Sequence, residues 1–158
     1  MVKVLFVCLG NICRSPLAEA IFNHKIKKLG WQHQFEVDSC GTGDYHIGSQ
    51  PDKRTIRVAT NHGVPIYHKC RQLTTDDLER FDYLLAMDSS NHRNIVRLAS
   101  SEEHHKKVLL MRSFDSASKY HEVPDPYHGD DRDFQEVFEI LDRSLEAFIS
   151  HLRQAHSL

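Results

Sequence analysis

The stretch KVLFVCLGNICRSPLAEAIFNHKIKKLG, residues 3–30, decides how the whole chain reads. Residues 3–8 are short, rich in β-formers and almost continuously apolar, the pattern of a strand buried on both faces of a parallel sheet. A Gly-containing turn follows, then Ser15-Pro16. Over residues 17–29, Leu17, Ile21, Ile26 and Leu29 recur at near-helical intervals. Pro16 suits the first helical position, Lys27 and Lys28 complement the dipole of a last turn, and Gly30 suits the stop. The opening is therefore strand, loop, helix.

The same alternation continues outward from there. Residues 35–39 alternate as a short strand, 53–62 read as a helix ended by Gly63, and 81–87 read as a buried strand. Residues 91–99 read as a helix and 107–111 as a fourth strand. The last segment is the most regular: Phe134, Val137, Phe138, Leu141, Leu145, Phe148 and Leu152 share one helical face. Strands alternating with helices predict an α/β three-layer sandwich, a four-stranded parallel sheet covered by helices on both faces. Residues 112–131 carry no convincing periodicity, and loops of that length in a compact domain are usually functional or disordered. The charged stretch SSEEHHKK, residues 100–107, reads as a solvated loop rather than a metal site.

The chain has 158 residues, so we expect one domain spanning 1–158 with an adequate core of its own. Lys+Arg number 20 and Asp+Glu 22, a formal net charge of −2, which argues against a general nucleic-acid or membrane-surface binder. The longest apolar run is Val4 to Leu9, far short of a spanning helix. No signal-peptide or lipidation pattern stands out, so the cytoplasm is the expected location. Four cysteines, at 8, 13, 40 and 70, read as free thiols in a reducing compartment. None has zinc-finger or Cys-x-x-Cys spacing, and neither a metal nor a cofactor is expected.

The chemistry concentrates in Cys8-Leu9-Gly10-Asn11-Ile12-Cys13-Arg14-Ser15. A Cys-x5-Arg spacing alone is weak, and each residue has an ordinary reading. A lone Cys8 is a buried thiol, a lone Arg14 a surface side chain, and Asp125-Pro126 simple turn chemistry. Placement changes the reading. Cys8 falls at the carboxyl end of the first strand and Arg14 at the mouth of the first helix. A loop between them turns its amides toward one point beside the positive end of a helix dipole, a site for a tetrahedral oxyanion. Gly10 and Asn11 tolerate the left-handed φ values that such a loop demands. In that setting Cys8 is expected to ionise readily and act as nucleophile. Arg14 has the planar fork that grips two phosphoryl oxygens. Ser15 is placed to hydrogen-bond the thiolate, and Cys13 is near enough in sequence for a disulfide that shields Cys8 from irreversible oxidation. Cleaving a phosphate ester also needs an acid for the leaving oxygen, and Asp125 lies in the late loop, which emerges at the same sheet edge.

Val7 through Pro16 resembles the signature of the low-molecular-weight protein tyrosine phosphatases, and Asp125-Pro126-Tyr127 resembles their late acid motif. The resemblance extends through Asp38-Ser39, residues 42–45, and residues 81–91. It implies hydrolysis of phosphotyrosine on protein substrates, and of small aryl phosphates, through a phosphocysteine intermediate without a metal. By it Cys8 matches the nucleophile, Arg14 the phosphate-binding arginine and Asp125 the general acid. Leu9, Gly10, Asn11, Ile12, Cys13 and Ser15 match the loop, with Ser39 and His68 in its supporting polar network. Tyr45, His46 and Tyr127 match the walls of the substrate slot. Ile12 stands where a relative acting on phosphoarginine is expected to carry Thr, which favours phosphotyrosine. The second tyrosine that many relatives carry after Asp-Pro is His128 here. With His46 it gives the entrance two histidines, the side chain that titrates nearest neutrality. A monomer is expected, with weak dimerisation open. The rivals are an arsenate reductase of the same fold, for which Cys70 lacks a companion thiol and Cys40 lies far off in sequence, and a non-catalytic phosphotyrosine-binding module, which would be expected to lack the nucleophile, the arginine or the acid.

Overall fold

The computed structural model describes residues 1–117 and 122–158. Four parallel strands make one sheet: β1 (Val2–Cys8), β2 (Phe35–Gly41), β3 (Tyr83–Ala86) and β4 (Val108–Leu110), in the order β2-β1-β3-β4. Side chains alternate across β1, so Val4, Phe6 and Cys8 join one core and Leu5 and Val7 join another on the opposite face. Both sets are almost fully buried, which is why the sequence of β1 is apolar without interruption.

Three helices cover the first face: α1 (Arg14–Lys28), α2 (Lys53–Asn61) and α6 (Asp131–His156). Phe22 of α1 anchors this layer, with its ring centroid 5.7 Å from Phe6, 5.4 Å from Phe35 and 5.9 Å from Phe148. The seven apolar residues predicted to share one face of the last helix are all buried there. A capping box between Asp130 and Asp133 starts α6, and Ser157 ends it in the left-handed conformation. The other face is covered by α3 (Thr75–Arg80) and α4 (Ser89–Val96), through Leu78, Phe81 and Ile95. The expected parallel sheet with helices on both faces is what forms.

Several expectations from the sequence are corrected in detail. Helix α1 starts at Arg14, so Pro16 is its third residue rather than its first. The cost is small, because the amides of a first turn have no intrahelical acceptor. The expected stop holds: Gly30 follows the end of α1 at φ 75°. Residues 100–107 are not a simple loop. Ser101 caps α5 (Glu102–Lys107) by accepting from the His104 amide, with acids in its first turn and Lys and His in its last. His104 is buried there, with Nε2 2.5 Å from Glu79. Helix α3 is too short to show a period; its signals are the Thr74–Asp77 capping box, the acids of its first turn and Arg80 in its last. Strand β3 is shorter than expected because the buried Phe81 ends α3 instead of extending the strand. The late segment opens with a 3-10 turn, Met111–Phe114, and residues 118–121 of the expected long loop lie outside the described residues.

The end of β2 is where the fold meets the Cys8 loop. A Cβ built on Gly41 would stand 2.7 Å from the Leu9 carbonyl oxygen and 3.2 Å from the Asn11 amide nitrogen. Both atoms are backbone, so neither can rotate away. Gly41→Ala is therefore expected to cost about 1–3 kcal/mol through overpacking. Thermal melting checks this, with the midpoint falling about 2–4 °C per kcal/mol; an unchanged midpoint would show that the loop yields freely there.

Candidate active site

The carboxyl edge of the sheet gathers residues that follow all four strands. The loop after β1 holds residues 9–13, Tyr45 and His46 follow β2, Asp88 follows β3, and Asp125 and Tyr127 follow β4. The edge lies where chain connections leave β1 and β3 in opposite directions, the usual place for a ligand crevice in an open parallel sheet. A cavity of about 470 Å³ opens here, lined by Cys8, Leu9, Gly10, Ile12, Cys13, Arg14, Tyr45, His46, Asp125, Tyr127 and His128. Apart from the supporting residues Asn11, Ser15, Ser39 and His68, every predicted site residue lies on its wall.

The loop from Cys8 to Arg14 has its carbonyls pulled outward. Those of Cys8 and Leu9 accept from the Thr42 and Gly43 amides, both at 2.9 Å. The Ile12 carbonyl accepts from the Asp52 amide at 2.8 Å, and the Asn11 carbonyl from the Cys70 thiol at 2.8 Å. Among the described residues, no amide from Leu9 to Cys13 donates to a protein acceptor. A stretch with its carbonyls tied outside turns those amides inward, and α1 begins directly behind them without a side-chain cap. The result is an anion cradle at a helix N-terminus.

Asn11 closes the cradle. It is the left-handed residue, at φ 57°. Gly10, expected to share that role, does not have positive φ. What Gly10 supplies is space, since a Cβ there would stand 3.1 Å from the His46 ring. The Asn11 amide group donates from Nδ2 to Ser15 Oγ at 2.8 Å and to Ser39 Oγ at 3.0 Å. Its Oδ1 accepts from the Arg71 amide at 3.1 Å, which fixes the orientation of the group, and lies 2.7 Å from His68 Nε2. Ser39 in turn donates to Glu19 Oε1 at 2.7 Å, and His68 Nδ1 lies 3.1 Å from the same carboxylate. The predicted support residues thus form one connected network, which Glu19 completes. Glu19, Asp38 and His68 also bring three potential metal-ligand atoms together. Asp38 is already engaged by Arg71 at 2.8 Å, and both His68 nitrogens already face hydrogen-bond partners, so the cluster reads as a structural network.

Cys8 Sγ lies 3.0 Å from Ser15 Oγ. Ser15 accepts from Asn11, leaving its own proton for Cys8 or for the Cys40 carbonyl at 3.4 Å. Arg14 is 3% exposed, so its charge needs partners. Nη1 donates to Asp88 Oδ2 at 2.8 Å and to the Val123 carbonyl at 3.0 Å, and Nη2 lies 3.6 Å from Asp125 Oδ2. Burial works against its charge, but Cys8, Asp88 and Asp125 around it push the guanidinium pKa up. Asp88 and the Val123 carbonyl were missed in the sequence. Asp88 had a signal, as the capping residue of α4 that accepts from the Asn91 amide; the carbonyl had none. Burial first, then the nearby Asp52, Cys8 and Asp125 charges, push the Cys13 thiol up to about 12. Burial, with Cys8 nearby, raises Cys70 to about 11. Cys40 lies in the core on the opposite face.

The family model described as low molecular weight phosphotyrosine protein phosphatase matches residues 3–158. The chain is 45% identical over 138 residues to the protein of that name from Schizosaccharomyces pombe, covering 87% of this chain and 88% of that one. It is 42% identical over 155 residues to the human protein of that name, covering 98% and 96%. A protein tyrosine phosphatase structure from Entamoeba histolytica superposes with a TM-score of 0.94 at 36% identity, covering 99% of both chains.

Asn11→Ala removes the hydrogen bonds at the centre of the network and places a Cβ-bearing residue without a local hydrogen bond in the left-handed region. We expect a loss of about 3 kcal/mol, from unsatisfied buried groups and from a backbone cost of about 1–2 kcal/mol. Asn11→Gly restores the backbone tolerance and should recover about 1 kcal/mol. Urea unfolding of the two variants beside the parent measures both terms, and stabilities within about 0.5 kcal/mol of the parent would show that Asn11 does not hold the loop.

Proposed function

The chain belongs to the low molecular weight phosphotyrosine protein phosphatase family, and from that premise we propose which of its residues hydrolyse phosphotyrosine and how. The reading rests on one observation. Cys8, the inward amides, Arg14 and Asp125 meet in a single cavity whose rim carries Tyr45 and Tyr127.

The Cys8 thiolate attacks phosphorus. The bond from phosphorus to the tyrosyl oxygen breaks as the S–P bond forms. The loop amides and Arg14 hold the non-bridging oxygens, matching the charge that spreads over them in the transition state. Asp125, acting as the carboxylic acid, passes its proton to the leaving phenolic oxygen. The Asp125 carboxylate then takes a proton from water as that water attacks the phosphocysteine. The S–P bond breaks, phosphate leaves, and the Ser15 hydroxyl steadies the departing thiolate. Arg14 and the amides supply the positive charge that a metal would otherwise bring, so no step calls on one. Asn11, Ser39 and His68 hold the loop in shape. Tyr45, His46 and Tyr127 form the slot for the substrate ring, with Tyr45 69% and Tyr127 42% exposed. Aromatic walls on that slot suit the ring of a phosphotyrosine side chain.

The arsenate reductase reading requires thiols that can relay a disulfide outward. Cys40 is in the opposite core, and the Cys70 thiol is engaged by the Asn11 carbonyl. Both features favour the phosphatase. Among the described residues no helix is long and apolar enough to cross a membrane. The four cysteines are free and buried, which accords with the reducing cytoplasm as the place of action.

A phosphotyrosine peptide assayed in EDTA and reducing agent tests the assignment. Cys8→Ser is expected to abolish turnover, and Asp125→Asn to lower it by roughly 10²–10⁴-fold. Turnover that survives Cys8→Ser, or that EDTA removes, would overturn the mechanism; thioredoxin-coupled turnover of arsenate would favour the rival. A second expectation concerns peroxide. Peroxide oxidises the Cys8 thiolate to a sulfenic acid, and the Cys13 thiol condenses with it, forming a disulfide and releasing water. Dithiothreitol should then restore the parent enzyme but recover Cys13→Ser poorly. Equal recovery would show that Cys13 offers no protection.

A further inference from the structure

Arg54 does not line the cavity, yet it joins the two halves of the site. It is the second residue of α2, and its guanidinium grips Asp52 with two bonds, Nε to Oδ1 and Nη2 to Oδ2, both at 3.0 Å. This pairing holds the Asp52 carboxyl below its ordinary pKa. The remaining donor capacity of Arg54 crosses to the late loop. Nη2 donates to the Tyr127 carbonyl at 3.0 Å and Nη1 to the Gly129 carbonyl at 3.1 Å. The guanidinium also stands 4.5 Å from the Phe134 ring centroid and 5.7 Å from that of Tyr127. On the near side, the Asp52 amide is the donor that holds the Ile12 carbonyl of the phosphate loop. A continuous route therefore runs from Ile12 through Asp52 and Arg54 to Tyr127, whose amide donates to Asp125 Oδ1 at 3.1 Å.

The acid itself sits in Pro124-Asp125-Pro126. Two prolines stiffen this segment and leave it no amide of theirs with which to anchor. Its upstream end is pinned at Val123, whose amide donates to the Met87 carbonyl at 2.8 Å and whose carbonyl accepts from Arg14. Its downstream end is pinned at Tyr127 and Gly129 by Arg54. A stiff rod held at both ends points its middle residue in one direction; released at one end, it swings.

We propose that Arg54 is a positioning residue for the reaction: it bolts the late loop to the phosphate loop and thereby sets Asp125 over the leaving oxygen. This rests on the catalytic reading above, with Asp125 as the acid. Losing Arg54 should then mimic a partial loss of acid catalysis while sparing the phosphate cradle.

The test is Arg54→Gln, with kcat/KM measured on two substrates well below the melting temperature. A phosphotyrosine peptide has a basic leaving group and needs the acid; p-nitrophenyl phosphate has a far more acidic one and needs it much less. The variant should lose roughly tenfold or more on the peptide, as expected for a misplaced catalytic group, and less than about twofold on the nitrophenyl ester. Added to Asp125→Asn, it should cause no further loss on the peptide, because the two act through one step. Inhibition by inorganic phosphate should be unchanged. Equal losses on both substrates, a full additional loss on the Asp125→Asn background, or weakened phosphate inhibition would each overturn the proposal. Failure of the catalytic reading looks different: Asp125→Asn in the otherwise parent chain would itself lose equally on both substrates.

Discussion

The site depends on a hydrogen-bonded side chain that most residues could not replace. Asn11 stands in the left-handed region, where an ordinary L-residue is strained, and it is 1% exposed. Its amide group reaches four partners, in the first turn of α1, on β2 and on the segment after α2. Without those bonds the chain after β1 would lack a reason to turn so tightly that successive amides face one point. With them, the loop is a rigid cradle before any ligand arrives. A preorganised cradle stabilises developing charge without first having to reorganise, which is where such sites gain most of their catalytic power.

The sheet explains why the other groups converge there. Parallel strands all present their carboxyl ends at the same edge, so loops remote in sequence emerge side by side. Asp88 follows β3, while the Val123 carbonyl and Asp125 sit together on the late loop after β4, yet all reach the Arg14 guanidinium within 3.6 Å. That convergence lets a nearly fully buried arginine remain charged. It also aims the arginine, because a fork held from one side presents its remaining N–H groups to the other. The same logic operates one layer out, where Arg54 draws on Asp52 and two carbonyls of the late loop.

Much of this was legible in one dimension, and what was not has a common cause. The strand-loop-helix opening, the order of the main elements and the buried face of α6 all follow from hydrophobic periodicity, a local signal. Cys8, Arg14 and Asp125 stood out as candidates through their placement, at the end of β1, at the mouth of α1 and in the late loop, since each residue alone has an ordinary reading. Helices α3 and α5 were not, being six residues each, shorter than the window in which a period can be recognised. The role of Gly10 was misassigned because φ tolerance and the need for space leave the same letter in a sequence. Its backbone angle, which is not positive, and the His46 ring lying against it separate the two.

Sequence alone was enough for the class of fold, because alternating strands and helices admit few arrangements, and it pointed to candidate reacting groups, because a thiol, a guanidinium and an acid in this order have a narrow chemistry. It did not reveal the bonds that aim those groups. Glu19 beneath Ser39 and His68, Asp88 behind Arg14, and Arg54 between the two loops are common residues in unremarkable settings. Their roles exist only once the chain has brought together positions as far apart as Arg54 and Tyr127 or Arg14 and Val123. Backbone carbonyls carry no letter at all. Which carbonyl an arginine meets is decided by tertiary packing, since every residue offers the same acceptor and only the fold selects among them.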